Sequence, residues 1–128
     1  MSNSRDVYKR AEGDFKNLFC GIKDYLVDDD YSWNNCTWER RSDNSSCHFT
    51  QNKNETTKYF EINQSCKRDF DNVQFIGTRN QDPLHGDHLC GINVRNLRPT
   101  DSGLWGCKLD YTKFNCTAEG SAWLVVYI

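Results

Sequence analysis

The stretch Leu97-Arg98-Pro99-Thr100-Asp101-Ser102-Gly103-Leu104-Trp105-Gly106-Cys107 constrains this chain more than any other, because turn chemistry is followed at once by strict alternation. Asp101 can bond nearby backbone amides through its short carboxylate, and Gly103 tolerates a positive φ. Pro99 has no N–H to give to a sheet ladder, so the strand before it must stop. Beyond the turn, Trp105, Cys107 and Leu109 alternate with Gly106, Lys108 and Asp110, the period of a strand with one buried face. Upstream, Ile92 and Val94 alternate with Asn93 and Arg95, and Leu97 follows after one irregular step. Two strands with inward faces need a second sheet to cover them.

This pattern, an apolar residue and then Asp-x-Gly-x-aromatic-x-Cys, resembles the E–F corner of variable-type immunoglobulin-superfamily domains, and the resemblance runs from Ala11 to Ile128. Cys20, in Asn17-Leu18-Phe19-Cys20-Gly21-Ile22 and preceded by Ala11-Glu12-Gly13-Asp14, looks like the strand B cysteine. Trp38, in Cys36-Thr37-Trp38, looks like the strand C tryptophan that packs on the inter-sheet disulfide, with Trp33 as the competing candidate. Ala122 to Ile128 looks like strand G. The resemblance implies an all-β, two-sheet Greek-key sandwich of V type, disulfide-rich, spanning residues 11–128, with residues 1–10 an N-terminal extension.

Two departures from that family pattern, and one match to it, bear on the fold. Trp105 stands where such domains usually carry a tyrosine whose hydroxyl bonds back to the corner. An indole is not expected to make that bond in the same way, which leaves the corner to Asp101 and to packing. Arg79 sits at a suitable distance to open strand D as the companion of Asp101, with Arg68 as the alternative. The chain, at 128 residues, exceeds the ~100 expected of such a domain, and the excess falls between Trp38 and Leu89.

Seven cysteines in a chain this short imply an oxidising compartment, and no Cys-x-x-Cys pair points to zinc. The resemblance implies an inter-sheet bridge between Cys20 and Cys107. Cys36 shares the inward parity of Trp38, and Cys90 that of Ile92, so a second inter-sheet bridge between them fits the fold. Cys47 and Cys66 would then close the long inserted segment, a loop of about twenty residues worth on the order of 3 kcal/mol. Cys116 is left unpaired. The extra cysteines resemble those of secreted or cell-surface immunoglobulin-like domains of arthropods and other invertebrates. Domains of the polymeric immunoglobulin receptor type are the rival, with the extra pair on neighbouring strands of one sheet.

Five Asn-x-Ser/Thr sequons, at Asn35, Asn44, Asn54, Asn63 and Asn115, support the same compartment. Three of them lie between residues 44 and 65, a polar segment expected to face solvent behind glycans, away from any partner. Met1-Ser2-Asn3-Ser4-Arg5 lacks the apolar core of a secretion signal. The apolar run from Ala122 to Ile128 is far shorter than the ~20 residues of a membrane span. The chain is therefore expected to be an excised ectodomain or secreted domain, extracellular in location.

A net charge of −2 with no basic face argues against nucleic acid or an anionic membrane as partner. His85-Gly86-Asp87-His88 is expected to be a solvated loop, and Asp28-Asp29-Asp30 a solvated acidic loop, so no metal or other cofactor is expected. No nucleophile elbow, phosphate loop or His-Glu-x-x-His occurs, and the chain is expected not to be an enzyme.

Between Ala122 and Ile128 both alternating sets are apolar, whereas a strand in a two-layer sandwich needs only one apolar face. With Ala122, Leu124, Val126 and Ile128 in the core, Trp123, Val125 and Tyr127 come to the outer face of the sheet formed by strands G, F and C. Exposed Trp and Tyr are what binding hot spots favour, and Lys108 and Asp110, with Tyr111 nearby, would form a polar rim. A neighbouring domain, an N-terminal segment or a glycan covering those rings is the alternative. The function expected is a protein-recognition module of a cell-surface receptor or adhesion protein, with a second copy of the chain among the candidate partners. A soluble secreted binder acting through its end loops, Asp28 to Tyr31 and Lys113 to Glu119, is the second class.

Overall fold

The alternating stretches become strands in a computed structural model of the chain, which describes residues 6–21, 32–67, 70–77, 86–111 and 116–128. In chain order these strands are β1 (Val7–Ala11), β2 (Lys16–Gly21), β3 (Asn35–Arg40), β4 (Ser45–Lys53), β5 (Phe60–Lys67), β6 (Val73–Phe75), β7 (Leu89–Val94), β8 (Gly103–Tyr111) and β9 (Cys116–Tyr127). They form a six-stranded sheet in the order β1-β9-β8-β3-β4-β5 and a three-stranded sheet in the order β2-β7-β6. Among the described residues this is the all-β, two-sheet sandwich that the corner motif implied, with strands B to G of a V-type domain as β2, β3, β4, β5, β6, β7, β8 and β9.

The additional length between Trp38 and Leu89 is spent on β4 and β5, which widen the large sheet as a hairpin paired from Ser46↔Lys67 to Lys53↔Phe60. The expected solvent-facing segment is therefore half core: Cys47, Phe49 and Gln51 of β4 are buried, and only the alternate positions face out. Polar residues at buried positions hid this period. Gln51 is buried because its amide has partners, donating to the carbonyl oxygens of Trp33 (2.7 Å) and Asp87 (3.2 Å) and accepting from the Asp87 amide (2.5 Å). That clamp also buries Gly86, Asp87 and His88, a correction to the solvated loop expected there; His85 lies outside the described residues.

Residues 7–10, expected as an extension, form most of β1. β9 is twelve residues long and takes β1 as a parallel neighbour on its far edge, Val7 opposite Trp123 and Ala11 opposite Tyr127. Lys9 and Arg10 break the apolar pattern of this stretch, which is why it resembled a tail.

Two disulfides join the sheets, Cys20 to Cys107 and Cys36 to Cys90, and a third, Cys47 to Cys66, crosses between β4 and β5 at directly paired positions. Cys20 and Cys90 are themselves opposite each other on β2 and β7, so the two inter-sheet bridges stand side by side in the core. Trp38 lies beside them, opposite Cys107 on β8, and its indole donates to the Cys90 carbonyl (3.2 Å). Trp33, just before β3, is buried edge-on against Phe75. Cys116 is free and exposed at the start of β9.

At the corner, Pro99–Asp101 form one turn of 3-10 helix, and Gly103 opens β8 with a φ of 137°, a conformation L side chains rarely adopt. Asp101 is fully buried. One carboxylate oxygen is ion-paired with Arg40 at the end of β3, and the other accepts from the Arg98 amide (2.9 Å) and the Asn72 side chain (3.1 Å). Among the described residues the charged partners of the motif aspartate are Arg40 and, at 3.7 Å, Arg98; Arg79 and Arg68 lie outside the described residues. Arg40 also reaches Asp43 with two further donors, at 3.1 and 2.7 Å. The indole of Trp105 donates to the Asp101 carbonyl (2.8 Å) while its ring stacks on Phe70, 5.4 Å away. This corrects the expectation that an indole could not tie back to the corner: the residue four positions upstream offers a carbonyl, and the N–H reaches it.

Three outcomes follow for stability. The double change Cys47→Ala/Cys66→Ala, which opens a link 19 residues apart in sequence, is expected to lower unfolding free energy by about 3 kcal/mol in urea denaturation. Trp105→Phe keeps most of the ring and removes the N–H, leaving a buried carbonyl without its donor, for a loss of about 1–3 kcal/mol by the same measurement. The Arg40 hydrogen bond holds the Asp43 carboxyl well below the usual carboxylate range, against a smaller opposing effect of burial. A depressed carboxyl contributes stability that is full above its unfolded value, ~3.9, and is lost as pH falls toward the folded value. With the Asp43 side chain 44% exposed, that contribution stays below about 1 kcal/mol. Asp43→Asn should therefore flatten the fall in stability between about pH 4 and pH 2 and leave it elsewhere unchanged in slope.

Candidate functional site

Strand alternation decides what β9 shows to solvent. Ala122, Leu124 and Val126 are buried, while Trp123, Val125 and Tyr127 are 43%, 41% and 54% exposed on the outer face of the large sheet. β1 adds Val7, 52% exposed, directly beside Trp123, and Lys9 beside Val125. On the other flank Leu104 of β8 is opposite Trp123. These side chains make a continuous apolar strip along the β1–β9 edge, with one cation on it.

Moving up β8, the next outward position is Gly106, opposite Glu39 on β3 and Ser121 on β9. Its missing side chain is where Arg41 lies: a Cβ at Gly106 would fall 2.8 Å from the guanidinium. Arg41 is ion-paired with Glu39 at 3.0 Å. Lys108, one step further, is exposed and faces Thr37 on β3 and Glu119 on β9. Together they line a shallow hollow of about 170 Å³ with charges of both signs. Asp110 follows, half-buried, between Asn35 and Thr117. The face thus grades from an apolar strip to a charged centre, a distribution suited to an anchor patch with a polar rim.

Of the residues singled out from sequence, Trp123, Val125, Tyr127, Lys108 and Asp110 share this one face, although Asp110 is at the opposite end of β8 from the strip. Asn35 and Asn63 also lie on it. Asn44 sits in the turn between β3 and β4 with a φ of 60°. Asn54 is committed to the β4–β5 hairpin, where its side-chain oxygen accepts from the amides of Thr56 and Thr57 and its nitrogen donates to Glu61. Asn115, Asp28 to Tyr31 and Lys113 lie outside the described residues. Sequence reasoning missed Val7, Leu104, Glu39, Arg41 and Gly106. A glycine on the outward parity of a strand whose neighbours are Trp105 and Cys107 was the available signal, since such a gap is a place for something to lie across.

Among the described residues no three His, Cys, Asp or Glu side chains gather as metal ligands, and no helix is long and apolar enough to cross a membrane.

Neither a protein family nor a curated protein matches the chain in sequence. Solved structures match it in shape. CD84 is similar at 11% identity with a TM-score of 0.62, over 95% of this chain and 96% of that one. The extracellular portion of mouse CD200RLa is similar at 14% identity and a TM-score of 0.62, over 97% of this chain and 55% of that one. The NK cell receptor Nkp44 is similar at 14% identity and a TM-score of 0.52, over 98% of this chain and 99% of that one. At such identities the likeness carries the fold and says nothing of an invertebrate relation. The chain has the variable-type immunoglobulin-like fold, disulfide-bonded and built as two sheets.

Proposed function

We propose that this chain is an extracellular recognition module of a receptor or adhesion protein, which docks a protein partner on the outer face of its large sheet and performs no catalysis. One observation carries the reading: Trp123, Val125, Tyr127 and Val7 stand exposed together beside Leu104, on a sheet face that turns charged and polar toward its centre. Apolar residues on the solvent side of a sandwich strand add little to folding beyond cross-strand contacts, and contiguous patches of this kind mark interaction sites. Two large aromatic rings beside a rim of Lys108, Glu119, Glu39 and Arg41 match the composition of hot spots and their surroundings. The three disulfides fit an oxidising, extracellular setting. Support also comes from the solved neighbours, one titled a receptor and one an extracellular portion.

An unbiased screen against extracellular proteins, this chain included, tests the reading with the wild type and Trp123→Ser/Tyr127→Ser side by side. Both rings are half-exposed and lose cross-strand contacts only, so the variant should stay folded, within about 2 kcal/mol of the wild type. Its affinity for the captured partner is expected to fall at least about 30-fold, the loss of one hot spot. Sedimentation of the chain alone reports whether the partner is a second copy. A folded double variant that binds every captured partner with unchanged affinity would remove this face from consideration.

A further inference from the structure

Two of the sequons are in matched register. Asn35 of β3 is opposite Thr50 of β4, and Thr50 is opposite Asn63 of β5. Two residues on, Thr37 is opposite His48, and His48 is opposite Ser65. The asparagines therefore form one row of the sheet and the hydroxyl residues the next, with β4 between them. Alternation places both rows outward, because Cys36 and Phe49 occupy the inward positions in between, and Trp38 and Cys47 the inward positions beyond. Strands spaced ~4.8 Å apart put the two asparagines about 10 Å from each other.

From this register we infer that Asn35 and Asn63 are a pair of N-glycosylation sites whose sugars stand side by side and cover the β3–β4–β5 end of the large sheet's outer face. In each, the carboxamide nitrogen forms a bond to the anomeric carbon of a lipid-diphosphate-linked oligosaccharide. The bond from that carbon to the diphosphate oxygen breaks, one amide proton goes to solvent, and the lipid diphosphate leaves. Asn54 differs from the pair because its amide already holds the hairpin. Asn35 is opposite Asp110, so this end of β8 lies beside the sugar. Leu104, opposite Trp123, is six residues along the strand, about 20 Å away. The consequence for docking rests on the recognition reading above: sugar excludes the partner from the Asp110 end and leaves it the β1–β9 strip.

The test needs no partner. Secreted from eukaryotic cells, the chain is expected to carry sugar at both Asn35 and Asn63 by glycopeptide mass spectrometry. His48, exposed between Thr37 and Ser65, should then react with diethyl pyrocarbonate at least about threefold more slowly than in Asn35→Gln/Asn63→Gln, whereas oxidation of Trp123 and Tyr127 by hydroxyl radicals stays the same. Enzymatic removal of sugar from the folded wild type gives the same comparison without relying on the variant's folding. An unmodified Asn35 or Asn63, or His48 reactivity indifferent to sugar, overturns the inference. Neither result touches the loss of binding expected of Trp123→Ser/Tyr127→Ser, and a failure of that variant leaves the labelling pattern standing.

Discussion

The buried ion pair between Arg40 and Asp101 is the constraint on which the other features rest. Both side chains are almost wholly excluded from solvent, and stranding either charge in the core would cost roughly 3–5 kcal/mol. The pair is tolerable because every partner is in place. Asp101 has the Arg98 amide and Asn72, Arg40 has Asp43 and Ser45, and the guanidinium lies near the rings of Phe70 and Trp105. Through these bonds the end of β3, the stretch before β6 and the turn into β8 meet at one point. That point sets where β8 begins, hence its register against β3 and β9, and hence which side chains reach the outer face.

Much of this was legible because period-2 alternation leaves little freedom: a one-residue slip would turn every core residue outward. Cys107 and Leu109 on β8, and Ile92 and Val94 on β7, declare their faces in sequence, and the second sheet follows from them. Arg40 was passed over in favour of Arg79 and Arg68: it stands at the inward parity of Cys36 and Trp38, but a charged residue there invites dismissal until its counter-charge is known, and Asp101 is 61 residues away. Gln51 hides for the same reason. Its burial depends on carbonyl and amide groups of two distant segments, and local pattern does not encode who will be nearby.

The outer face was legible only in part. Its aromatic members follow from the surplus apolar set on β9, yet Val7 and Lys9 join it through a parallel pairing that nothing in residues 7–11 announces. Gly106 and Arg41 depend on a side chain crossing from the β3–β4 turn. The row shared by Asn35 and Asn63 required the register of three strands, information that sequons carry only once their strands are aligned.

The adjacent bridges Cys20–Cys107 and Cys36–Cys90 have a mechanical meaning beyond cohesion. One covalent tie between layers leaves a pivot; two, side by side, remove it, so the sheets can neither slide nor rotate against each other at their centre. A rearrangement that slides one sheet over the other is therefore opposed at the centre by two covalent ties rather than one. There the two layers hold together as a single solid strut does.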